Sequence, residues 1–153
     1  MPSEIFGERV YAKRHAADWE DAVELAGKIW LAEGSCDRSY INLVKQQMQE
    51  NNAYAVILPG LVLLHAEAGH GVFKNTLMLI TLDQPVEFGH PDNDPVDTMI
   101  CFTSVGKNDH IDSMKRIANM LLDDDFADRV RGADTDEQLM KIVKALENGA
   151  KEK

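Results

Sequence analysis

A chain of 153 residues, 44% of them hydrophobic, is enough for one domain with a core of its own. Its formal charge of −10, with no Lys/Arg stripe interleaved with aromatics, argues against nucleic acid as a partner. No stretch reaches the roughly 18 apolar residues of a membrane span, and MPSEIFGERVYAKRH lacks the parts of a secretory leader, so a cytoplasmic protein without membrane insertion is expected.

Asp18 can cap a helix whose Trp19, Val23, Ala26, Ile29 and Trp30 fall on one face, with Gly34 closing it. A second helix is predicted from about Ser39, with Tyr40, Leu43, Val44 and Met48 inward, until the Asn51–Asn52 pair ends it. Both tryptophans read as core. The period then changes. Tyr54 to Leu58, Leu61 to Leu64, Thr76 to Leu82 and Thr98 to Val105 are short apolar runs bounded by turn formers, the pattern of strands buried on both faces. Between the last two lies Phe88-Gly89-His90-Pro91-Asp92-Asn93-Asp94-Pro95, dense in turn residues and expected on the surface.

From Asp109 the helical period returns, with Ile111, Met114, Ile117, Ala118, Leu121 and Leu122 on one side. Asp123-Asp124-Asp125 then leads into Phe126 and Val130. A last helix follows Asp134: Thr135 with Gln138 reads as a capping box, and Leu139, Ile142, Val143 and Leu146 form its buried stripe before Gly149 and a charged tail. Helices before and after a block of strands can cover both faces of one sheet. The expected fold class is therefore α/β, a single domain over 1–153 with three layers, α/β/α, and a central mixed sheet.

Cys36 and Cys101 lie far apart, form no CxxC pair and read as reduced, buried thiols. With no HExxH and no His pair at i,i+4, no metal site is expected, and no cofactor is called for; GxSxG and the Walker phosphate loop are also absent. The chemistry then rests on histidine. His65 ends the apolar run 61–64, where backbone leaving a buried strand aims a side chain, and a neutral imidazole carries a nucleophilic lone pair near pH 7. It can also be read simply as a strand-edge residue with satisfied nitrogens. His110 falls at the start of the helix after Val105, where backbone N–H groups lacking intrahelical partners favour an anion; it reads equally as a partly exposed helix-start residue. A phosphate on His65 could be held there if the two strand ends lie side by side. His15, His70 and His90 read as surface residues.

The order of these segments resembles a known family, the IIA component of the bacterial sugar phosphotransferase system in its fructose–mannitol class, and within it the ascorbate-type members. The resemblance rests on Pro59-Gly60 followed by His65-Ala66, on Val86-Glu87-Phe88-Gly89 and Asn93-Asp94-Pro95-Val96, on Asp109-His110 with Leu121-Leu122, and on Asp18-Trp19-Glu20 with Leu25-Ala26-Gly27. It implies a phosphoryl relay: phosphorylated HPr gives its group to His65, which passes it to a cysteine of a IIB component serving a membrane IIC transporter. His110 would stabilise the transferred group. The alternative carried beside it is a regulatory IIA-like interaction module without onward transfer. Two departures stand out. Glu67 occupies a place where many members carry arginine, and Gln49 lies near another arginine position.

Overall fold

Apolar runs with no charged side chain to offer solvent must be covered on both faces, and residues 61–64, 76–82 and 98–103 are such runs. In the computed structural model, which describes residues 2–51 and 53–152, they become the interior of a five-stranded sheet. The strands are β1 (Val10–Arg14), β2 (Val56–Leu58), β3 (Leu61–Leu64), β4 (Thr76–Val86) and β5 (Val96–Thr103). Their spatial order is β1-β4-β5-β3-β2, parallel for β1–β4 and β3–β5, antiparallel for β4–β5 and β2–β3. The helices are α1 (Trp19–Glu33), α2 (Arg38–Glu50), α3 (Lys107–Met120), α4 (Phe126–Arg131) and α5 (Asp136–Glu152).

Side-chain alternation sorts the core into two layers. Val62, Leu64, Met78, Ile80, Met99 and Cys101 pack on one face with Val23, Ala26, Trp30, Tyr40 and Val44 of α1 and α2. Leu61, Leu63, Leu79, Ile100 and Phe102 pack on the other with Ile117, Phe126, Val130, Leu139 and Val143 of α3, α4 and α5. The domain is the expected α/β/α sandwich with a mixed sheet. Asp18 caps α1 by accepting the N–H of Asp21, and Gly34 closes it at φ 69°. Thr135 accepts the N–H of Gln138, whose side chain reaches back to the N–H of Asp134, close to the expected capping box.

Several sequence expectations shift for physical reasons. Val10–Arg14, which carries no plain strand signal, is an edge strand whose pairing with β4 is interrupted between Tyr11 and Arg14. The run 54–58 is the opposite edge, so Ile57 and Leu58 are exposed and Tyr54 precedes the strand. Helix α3 starts at Lys107 and turns Ser113, Ile117 and Met120 inward, leaving Ile111 and Leu122 exposed. Of the apolar stripe expected over 109–122, Met114, Ile117 and Leu121 do pack into the core, whereas Ile111, Ala118 and Leu122 face solvent. Phe88 is buried although its loop is at the surface, because Asp94 gathers the N–H groups of Phe88, Gly89 and His90 and folds the loop back. Asn51 ends α2; Asn52 lies outside the described residues. Helix α5 continues through Gly149 to Glu152 instead of stopping before a charged tail.

The α1–α2 contact depends on Gly27. A Cβ there would stand 2.7 Å from Cδ1 and 3.0 Å from Cγ1 of buried Ile41. Gly27→Val is expected to cost about 2 kcal/mol through overpacking, read as a lower midpoint in urea denaturation with unchanged slope.

Candidate functional site: a paired-histidine cleft

β3 and β5 run parallel with Leu64 opposite Cys101, so the backbone leaving β3 at His65 emerges beside Phe102. The imidazole of His65 lies flat on the Phe102 ring, centroids 4.6 Å apart and planes 13° from parallel, and Tyr54 meets it edge-on at 6.1 Å. Nδ1 of His65 is 2.8 Å from the carbonyl oxygen of Leu63. A carbonyl only accepts, so Nδ1 carries the proton and the lone pair sits on Nε2. Burial holds the His65 pKa below its ordinary value; the Leu63 hydrogen bond opposes this and neighbouring His110 adds to it.

His110 lies in the opening turns of α3, its ring centroid 5.4 Å from that of His65 and 5.4 Å from that of Phe102. Gly106 precedes the helix with no side-chain cap, so the first-turn N–H groups are not taken up by a capping oxygen. Nδ1 of His110 is buried without a hydrogen-bond partner among the described residues. The two histidines open onto one cleft of about 560 Å³, also lined by Gln47, Tyr54, Glu67 and Lys107. An unprotonated ring nitrogen, a second imidazole and a helix start therefore converge, an arrangement suited to holding an anion against a nucleophile.

The other histidines stand apart from this cleft. His15 is exposed beside Asp83, 3.1 Å away, and His70 is exposed with Nε2 3.5 Å from Glu67. His90, expected to be a solvated surface residue, is instead a turn fastener: its Nδ1 accepts the N–H groups of Asp92 and Asn93 at 3.1 and 3.0 Å. Glu67 is 69% exposed in its side chain, so its carboxylate stays hydrated at the cleft rim. The α2 amide reaching the cleft is Gln47, whereas Gln49 is exposed elsewhere on that helix. Cys36 and Cys101 are both free and buried, with the Cys36 thiol pushed up to about 11 by burial.

Sequence reasoning missed the platform. In chain order Phe102 is one apolar residue of a strand run and Tyr40 one member of a helical stripe, and nothing in either period shows that one lies under His65 and the other bonds the backbone of the next residue, Ala66. Lys107 falls before the expected helix start. Among the described residues no group of three or more His, Cys, Asp and Glu side chains could hold a metal ion, and no helix is long and apolar enough to cross a membrane.

A three-layer domain with two imidazoles just beyond the ends of parallel strands defines the class of protein. Residues 5–146 match the family described as phosphoenolpyruvate-dependent sugar phosphotransferase system, EIIA 2, and the chain belongs to that family of phosphoryl-transfer proteins. It is 31% identical over 129 residues to the ascorbate-specific PTS system EIIA component of Shigella boydii, covering 84% of each chain. The fold is shared with the mannitol-specific cryptic phosphotransferase enzyme IIA CmtB of Escherichia coli, at a TM-score of 0.80 and 22% identity over 92% of this chain and 95% of that one. It is also shared with the structure of Escherichia coli enzyme IIAMTL in complex with phosphorylated enzyme IIBMTL, at 0.77 and 16% identity over 93% and 98%.

The burial of His65 sets a linkage. Below pH 6.5 the unfolded chain binds a proton at His65 that the native ring resists, so stability falls as pH drops through this window toward the native pKa. Nitrogen-15 NMR across pH 5–8 is expected to show a His65 midpoint below its ordinary value, with the neutral ring protonated on Nδ1.

Proposed function

We propose that this protein is a cytoplasmic phosphocarrier that accepts a phosphoryl group from phosphorylated HPr on Nε2 of His65 and passes it to a cysteine of a IIB component, which serves a IIC transporter. In the first step the Nε2 lone pair attacks phosphorus, a new N–P bond forms, and the donor's N–P bond breaks with its electron pair returning to the donor imidazole. In the second the IIB thiolate attacks and His65 leaves as a neutral ring. Such transfers need in-line placement and donors for the equatorial oxygens more than covalent help from the protein.

The observation that carries this reading is the Nδ1–Leu63 hydrogen bond, which fixes both the tautomer and the direction of the remaining lone pair. His110 and the uncapped start of α3 supply donors beside it. The neighbour captured with a phosphorylated IIB supports the onward partner. The sugar is proposed to be ascorbate or a related compound, on the strength of the relative's name alone, since nothing in the cleft need touch it.

Incubation with phosphorylated HPr and a cognate IIB tests this. Acid-labile label on the wild-type chain followed by transfer to IIB is expected, whereas stable label without transfer would favour the regulatory module. His65→Ala is expected to abolish labelling with the fold intact by circular dichroism, and label surviving there sinks the assignment. His110→Ala is expected to slow acceptance by roughly tenfold to a thousandfold, the effect of losing one transition-state donor.

A further inference from the structure

Tyr40 is a buried phenol whose hydroxyl stands between two backbones that both serve the His65 ring. It accepts the N–H of Ala66 at 2.9 Å and lies 3.0 Å from the carbonyl oxygen of Phe102, to which it donates. The β3–β5 ladder ends at Leu64 opposite Cys101, so the hydroxyl takes up the pairing where β3 turns away. Ala66 follows directly on the imidazole assigned the phosphoryl group. Phe102 supplies the ring on which that imidazole lies. The phenol is itself held: it is 1% exposed and meets Trp30 edge-on with centroids 5.5 Å apart.

We propose that Tyr40 is a positioning residue for phosphoryl transfer, tying the chain at Ala66 to Phe102 so that the His65 imidazole stays flat on its platform with Nε2 aimed into the cleft. The inference rests on the phosphocarrier reading of His65. The physical case is that, among the described residues, the His65 ring has one hydrogen bond to orient it, to Leu63, which leaves rotation about that contact to be limited by the stack. The stack is only as fixed as the spacing between residues 65–66 and 102. Ladder pairing stops at Leu64, and the next backbone bond between the two segments runs from Gly69 to Ser104, so at Ala66 and Phe102 themselves the tie is the hydroxyl from α2. A helix on the opposite face of the sheet from α3 thus reaches the site without contacting substrate.

Tyr40→Phe removes the hydroxyl and keeps the ring. Its phosphoryl acceptance from phosphorylated HPr is expected to show kcat lowered about tenfold with KM unchanged, the size of effect that slight misplacement of a reacting atom produces. In the unphosphorylated protein, the His65 NMR titration midpoint is expected to move up toward the ordinary value as the ring loses its stacked, dehydrated place. Val44→Ala, a buried truncation on the same helix, controls for loss of stability and is expected to leave kcat and the titration where they are. An unchanged midpoint and kcat in Tyr40→Phe, or equal changes in Val44→Ala, overturns the proposal. Failure of the wild-type protein to take label strikes the phosphocarrier reading instead, and the titration still decides whether Tyr40 positions the ring.

Discussion

β3 and β5 run parallel, Leu61 to Leu64 opposite Thr98 to Cys101, and the site depends on this alignment. Parallel neighbours deliver their carboxyl ends to the same edge of a sheet, where crossing connections must leave room between them. His65 leaves β3 there, Phe102 lies near the end of β5 under it, and the short link 104–106 starts α3 with His110 beside both. A one-residue slip of β3 would send Val62 and Leu64 to the wrong core layer, so the hydrophobic cost of misregister also protects the histidine geometry. The register is pinned at its other end as well, where Gly60, at φ +79°, accepts the N–H groups of Asp97 and Thr98 through its carbonyl.

The electrostatics of the cleft follow from burial more than from charge. Partial burial is the chief cause that favours the neutral form of His65, and its proton is stationed on the nitrogen that faces Leu63. A neutral ring can accept a dianionic group without first losing a proton. Glu67 brings a carboxylate to the same cleft, but it stays mostly hydrated and close to His70, which reduces its effect on the buried ring. Lys107, at the first position of α3, lines the cleft and brings a positive charge to its mouth. The rim is thus of mixed sign in a chain of net charge −10.

The helices and interior strands are legible because their signals are local. Asp18 and Gly34 bracket α1, Thr135 and Gln138 start α5, and β3, β4 and β5 are apolar runs between turn residues. The edge strands are less so. Val10–Arg14 carries Tyr11, Lys13 and Arg14 partly exposed, a pattern that solvent allows at an edge and that resembles a loop. The period over 109–122 is read correctly at Met114, Ile117 and Leu121 but too widely, because Ile111 in α3 and Leu122 beyond it are large apolar residues left exposed, which periodicity counts as core. His65 and His110 stand out by their positions at a strand end and a helix start. Pairing them requires the two strand ends to lie side by side, and the 5.4 Å between their rings meets that condition.

The three-layer class, the single sheet and the two histidines on which the proposed chemistry turns are legible in chain order, since caps, periods and the run before His65 act within a few residues of themselves. Which imidazole nitrogen is free, what lies beneath the ring and what braces it emerge with folding. Those depend on Leu63, Phe102 and Tyr40 meeting across β3, β5 and α2. Such contacts join residues up to 62 positions apart, and hydrogen bonds and ring stacking have no signature in chain order, because they are set by the register of the sheet and the seating of a helix upon it.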